Sequence, residues 1–122
     1  LPFPRRRTNR EVTLHFDFDS EQISRSGNQK ISKIIKMWEQ GLPITIVVIG
    51  HADRAGPTHY NESLSELRAE AVRKKLIEAG VPVQLITAVS YGERRPLVAT
   101  ANGVREPLNR RVTITLGHIQ SL

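Results

Sequence analysis

The sequence predicts an α/β domain, an α+β sandwich in which a mixed sheet of about four strands carries helices packed on one face. Three observations lead there. Two segments show apolar residues at helical spacing, four show the period or composition of strands, and the two kinds alternate until the last strand, which follows a loop. Alternation implies crossover connections between parallel strands, and the final loop makes the sheet mixed. The expected order is β-α-β-α-β-loop-β.

The first strand begins near Glu11, where Val12, Leu14, Phe16 and Phe18 alternate with Thr13, His15, Asp17 and Asp19. A period of two buries one face. Ser20 is placed to cap a helix carrying Ile31, Ile34, Ile35 and Trp38, and Gly41 with Pro43 stops it. The run Ile-Thr-Ile-Val-Val-Ile from Ile44 to Ile49 is almost wholly β-branched, which predicts a central strand covered on both faces. A second helix is expected from about Asn61 to Ala79, with Leu64, Leu67, Ala71 and Val72 on its apolar stripe and Gly80 and Pro82 at its end. A third strand follows around Ile86 to Ser90. After a loop from Gly92 to Asn109, a fourth strand sets Val112, Ile114 and Leu116 on one face and Arg111, Thr113 and Thr115 on the other. Loops of this length in small domains are commonly functional, so the segment is a candidate rim of a site.

With 122 residues and 39% hydrophobic content, the chain suits one core. Residues 1–10, with two prolines and four arginines, read as a basic linker or arm; 11–117 form the domain and 118–122 a short tail. No apolar run reaches the roughly 18 residues a membrane helix requires. Because the chain starts at Leu1, it is expected to be a mature form or an excised domain. The absence of cysteine excludes disulfides, thiolate nucleophiles and cysteine-bound zinc from it. A net charge of +6 favours polyanionic surroundings without naming one, and Arg5, Arg6, Arg7 and Arg10 read more readily as a solvated linker. Aromatic content of 5% gives little support to base stacking, so no nucleic-acid partner is expected.

On the second helix, Arg68 falls within the angular range of Leu64, Leu67, Ala71 and Val72 and therefore points toward the sheet. A guanidinium pointing inward requires a carboxylate, from the protein or from a ligand. Asp53, just beyond the central strand, shares that neighbourhood. The pair is either a structural salt bridge or a two-signed site for a zwitterion, with Asp53 taking an ammonium and Arg68 a carboxylate. Ligands of open α/β sheets bind beyond the carboxyl ends of strands, where both residues fall. Asn61 suits an N-cap, a ligand contact or both; Arg110 shares parity with Val112 and is a better site candidate than Arg111.

His51, Asp53 and His59 lack a recognised metal-ligand spacing, and Asp17 with Asp19 read as solvated or capping residues. No phosphate-binding glycine loop, GxSxG elbow or HExxH helix is present. Neither enzymatic activity, a metal nor a cofactor is expected.

Three stretches, Phe16-Asp17-Phe18-Asp19-Ser20, Gly50-His51-Ala52-Asp53-Arg54-Ala55-Gly56 and Tyr60-Asn61-Glu62-Ser63-Leu64-Ser65-Glu66-Leu67-Arg68-Ala69, together resemble the OmpA-like domain. That domain is shared with peptidoglycan-associated lipoproteins and flagellar-motor stator anchors. Tyr91-Gly92-Glu93, Pro96 and Asn109-Arg110-Arg111-Val112 continue the resemblance, which covers roughly residues 11 to 117. It implies non-covalent peptidoglycan binding without cleavage, with Asp53 holding the ammonium and Arg68 the carboxylate of diaminopimelate in the stem peptide. Phe18, Asp19 and Ser20, with Asn61, Leu64 and Arg110, are the further positions it implies for the pocket. Ala52 departs from the family's more usual threonine, a loss of one hydrogen bond worth about 0.5 to 1.5 kcal/mol. The resemblance also implies a periplasmic domain, tied to the outer or inner membrane by an anchor outside this chain. Two alternatives stand beside it: a nucleic-acid or anionic-surface module led by the arginines, and, with less in its favour, a peptidoglycan hydrolase.

Overall fold

The computed structural model describes residues 10–41 and 44–118; Arg5, Arg6, Arg7, Pro43 and residues 119–122, to which expectations were attached, lie outside them. The elements are β1 (Arg10–His15), α1 (Arg25–Glu39), β2 (Ile44–Gly50), α2 (Thr58–Glu78), β3 (Ile86–Ser90) and β4 (Arg111–His118). The expected order is present. One sheet runs β1-β4-β2-β3, with β4 antiparallel to both neighbours and β2 parallel to β3. The parallel pair demands a crossover, and α2 supplies it.

Register explains the core. Leu14 lies opposite Val112, Val48 opposite Ile114, and Ile46 between Leu116 and Ile86, so alternate residues of four strands share one face. Ile31 and Ile34 of α1 and Ala69, Val72 and Leu76 of α2 pack on that face. Helix ends follow local chemistry. The amide of Gly80 donates to Ile77 O at 2.9 Å and that of Val81 to Leu76 O at 3.1 Å, a Schellman closure that needs the left-handed Gly80 (φ 98°). Buried Val81 then packs beneath the helix end.

Several expectations are corrected. Ser24, not Ser20, caps α1, its hydroxyl accepting from the Gly27 amide at 3.0 Å. The three residues between them remain outside the helix, and the Ser20 carbonyl is instead engaged by α2. β2 is not covered on both faces: Thr45 is exposed and Val47 and Ile49 are half-buried, because both helices lie on the opposite side. α2 starts at Thr58, and Leu67 is 52% exposed. The buried stripe instead runs Asn61, Leu64, Ser65, Arg68, Ala69, Val72 and Leu76. Small residues take those places because α2 crosses close to β2: a Cβ on Gly50 would collide with the Ser65 carbonyl. Arg10 opens β1 and His118 closes β4, so each strand reaches one residue into the expected linker and tail.

Arg111 and Thr113 share the outer face as expected but are buried, at 8% exposure each. The 92–109 segment folds against this end, where Arg111 Nη2 donates to Arg95 O at 3.3 Å. Wholly buried Asn109 pins the segment, its Oδ1 accepting from the Leu97 and Val98 amides at 2.9 Å and its Nδ2 donating to Val98 O at 2.8 Å. Replacing Asn109 by alanine strands three backbone groups, so a denaturant melt of Asn109→Ala is expected to show a loss of about 2 to 3 kcal/mol. A change below about 0.5 kcal/mol would contradict this role.

Candidate functional site

β1 and β2 end, and α2 and β4 begin, at one end of the sheet. Loops meeting there converge on a cleft lined by Phe18, Asp19, Asp53, Asn61, Leu64, Arg68 and Arg110. Seven of the nine expected positions are thereby brought together. Ser20 and Ala52 do not line it. The Ser20 carbonyl holds Arg68, and Ala52, 2% exposed, is fixed by its amide to Gly92 O at 2.9 Å.

Arg68 has no exposed surface. Its Nε donates to Ser20 O at 2.8 Å, Nη1 to His51 O at 3.0 Å and Nη2 to Asp17 O at 3.1 Å, and the guanidinium lies 5.3 Å from the Phe16 ring centroid. Three carbonyls from two separate strand ends therefore aim the fork. No carboxylate lies within salt-bridge distance of it among the described residues. Burial pushes its pKa down to about 10, although Asp53 opposes the shift, so the group stays cationic at neutral pH. The structural alternative, a direct Asp53–Arg68 bridge, is not formed.

Asp53 is 5% exposed and instead faces Arg110, whose Nη1 lies 3.3 Å from Oδ2. Oδ2 also accepts from the Glu106 amide at 3.1 Å, and Oδ1 from the Ala55 amide at 3.1 Å. Arg110 Nε reaches Phe16 O at 3.0 Å, which holds the guanidinium between strand end and carboxylate. Parity correctly separated Arg110, at the cleft, from Arg111, on the other face. Asn61 is not an N-cap: Pro57 occupies that position, and Asn61 Nδ2 donates to Gly56 O at 2.9 Å and to Glu93 Oε1 at 3.2 Å. Glu93 in turn meets Arg54 Nε at 3.4 Å.

The cleft thus presents two carboxylates, Asp19 and Asp53, and two guanidiniums, Arg68 and Arg110, beside the apolar Phe18 and Leu64. Such a lining suits a small zwitterion on a short apolar stem. Asp19 adopts φ 53°, a left-handed conformation uncommon outside glycine, and so turns the chain over the mouth. Sequence reasoning missed Tyr60, Ala55 and Gly56 in the wall, and Arg105, whose guanidinium stacks 3.7 Å over the Phe18 ring. Arg105 carried no signal, since it belongs to the irregular loop. Among the described residues no group of three His, Asp or Glu side chains is arranged to hold a metal ion.

His51 joins the two faces of the sheet. Its carbonyl holds Arg68, while its ring, 5% exposed and 5.9 Å from that of Tyr91, lies in a field set by Arg111 and Arg95. Burial, then those two cations, push its pKa down to about 4. The folded state therefore resists a proton that the unfolded chain accepts near pH 6.5, and stability falls as pH drops from 6.5 towards 4. The expected loss is at most about 3 kcal/mol. Denaturant melts at both ends of that window should show it for the wild type and much less of it for His51→Gln; equal pH dependence in both would contradict the assignment.

Fold and cleft together define an α/β domain with a two-signed cleft at the end of the sheet where β1 and β2 end and β4 begins. The chain belongs to the OmpA family, which it matches over residues 15–110. It is 35% identical to outer membrane porin F of Pseudomonas fluorescens over 102 residues, covering 84% of this chain and 31% of the porin. It is 36% identical to the peptidoglycan-associated lipoprotein of Brucella melitensis over 104 residues, covering 84% of this chain and 61% of the lipoprotein. The chain therefore spans about a third of the porin and under two thirds of the lipoprotein. Its fold is similar to the crystal structure of the peptidoglycan-associated lipoprotein from Burkholderia pseudomallei, with TM-score 0.70 and 30% identity over 85% of this chain and 88% of that one. The C-terminal domain of Helicobacter pylori MotB is likewise similar, with TM-score 0.71 and 28% identity over 86% and 83% of the two chains.

Proposed function

We propose that this domain binds peptidoglycan without cleaving it, gripping the free amino-acid end of diaminopimelate in the stem peptide and so tethering an envelope protein to the cell wall in the periplasm. The observation that carries the reading is Arg68: a fully buried guanidinium, aimed by three carbonyls into a cleft, without a carboxylate partner among the described residues. A ligand carboxylate completes its pairing. The ammonium on the same carbon then lies within the reach of Asp53, where it meets the Oδ2 that Arg110 and the Glu106 amide now share. Arg68 and Asp53 are the principal contacts; Asn61, Leu64, Phe18, Asp19 and Arg110 shape the wall around them, Ser20 aims Arg68, and Ala52 supports the Asp53 loop.

The name of one relative, the peptidoglycan-associated lipoprotein, supports the association with peptidoglycan.

Selectivity tests it. A lysine-type stem has the ammonium but lacks the second carboxylate, so it leaves Arg68 unpaired. Calorimetric titration with a diaminopimelate-containing stem peptide should give binding at least about thirtyfold tighter than with the lysine analogue. Equal affinities would overturn the assignment of Arg68 to the carboxylate.

A further inference from the structure

The opposite pole of the sheet carries a second surface. β1 starts there, with Arg10 across from Leu116, whereas the cleft lies where β1 ends. Between the β1 edge and α1 runs a groove floored by Val12, Ile34, Met37 and Leu116 and rimmed by Arg10, Lys30 and Lys33, with Glu11 and Thr13 beside them. Lys36 extends the rim, sharing an adjoining hollow with Lys30 and Lys33.

Charge is segregated to this flank. Arg10, Lys30, Lys33 and Lys36 make four cations against Glu11 and Glu39, a net of +2. The other eleven cations and ten acids among the described residues leave only +1. α2 shows the contrast: Arg73 meets Glu70 at 3.0 Å and Lys74 meets Glu78 at 4.0 Å. On the flank, none of Arg10, Lys30, Lys33 and Lys36 has a carboxylate within 4 Å among the described residues.

Lys30 Nζ donates to Thr13 O at 2.7 Å, which blocks the β1 edge against an added strand and so argues against a second copy pairing there. An apolar floor within a rim of three cations and one carboxylate matches the interface of a bilayer containing acidic lipids, where both charge and shallow apolar burial contribute. A soluble polyanion would use the rim alone. We infer that this flank docks on an anionic phospholipid bilayer, which leaves the cleft at the other pole facing away from the membrane.

The chain should co-sediment with phosphatidylcholine vesicles containing phosphatidylglycerol, increasingly as salt is lowered, and not with phosphatidylcholine alone. Lys33 and Lys36 are exposed, so Lys33→Glu/Lys36→Glu should keep its fold by circular dichroism yet bind more than about tenfold more weakly. The control Arg73→Glu/Lys74→Glu has the same net charge on α2 and should stay within about twofold of wild type. Equal losses in both variants would overturn the inference by reducing the effect to net charge. Absence of vesicle binding, with retention on an acidic polysaccharide, would overturn it in favour of a polyanion.

Discussion

Arg68→Lys is expected to abolish measurable binding to diaminopimelate-type wall, weakening it by more than about 100-fold, while the protein still folds. Geometry causes the loss, since the formal charge is unchanged. The guanidinium spends one N–H of each nitrogen on the carbonyls of Ser20, His51 and Asp17 and keeps a planar fork whose remaining terminal N–H groups are left for a ligand. An ammonium has three donors in all and a shorter stem. If it satisfied the carbonyls it would have nothing left for a carboxylate; if it turned to the ligand it would strand buried carbonyls. Stability should fall by about 1.5 to 3 kcal/mol in a urea melt, from poorer pairing of those carbonyls. Arg68→Met removes charge and donors together and is expected to cost about 3 to 5 kcal/mol, which makes lysine the better probe of function.

The second large effect is expected at Asp53. In Asp53→Asn one oxygen still accepts from the Ala55 amide, but the other position becomes an NH2 facing Arg110 and the Glu106 amide, both of them donors. Binding of the stem peptide should weaken by at least about thirtyfold, because the ammonium loses its counter-charge in a desolvated site. Unlike the Arg68 substitution, this one should weaken diaminopimelate and lysine stems alike, since both present an ammonium. A selective loss for only one of them would reverse the roles given to the two residues.

How far this site was legible in the sequence differs from residue to residue. Arg68 was legible because helical spacing alone sets its angle relative to Leu64 and Val72, and the structure buries it on the same stripe. Arg110 followed from strand parity. The partners of Arg68 were not legible: they are main-chain carbonyls, which every residue possesses and which leave no compositional trace. Asp53 pairs with Arg110 fifty-seven positions away, and the Glu106 amide comes from a loop without periodicity. Asn61 misled because asparagine is a common cap, whereas here Pro57 starts the helix a turn earlier and frees Asn61 to tie the Asp53 loop to Glu93.

The fold was legible for the same kind of reason. Period-two and period-3.6 patterns report which face is buried, and they located the six main elements in order. They overstate cover where β-branched residues recur on both sides, as in β2, and they mistook Leu67 for core because Ser65 and Ala69, chosen for close approach to Gly50, are too small to register as hydrophobic.

The most direct test is sedimentation of the domain with purified diaminopimelate-type sacculi, comparing the wild type with Arg68→Lys and Asp53→Asn after circular dichroism has shown both variants to be folded. The wild type should pellet with the sacculi and both variants should remain in the supernatant. Undiminished pelleting of both folded variants would contradict the two-signed cleft and return Asp53 and Arg68 to purely structural roles.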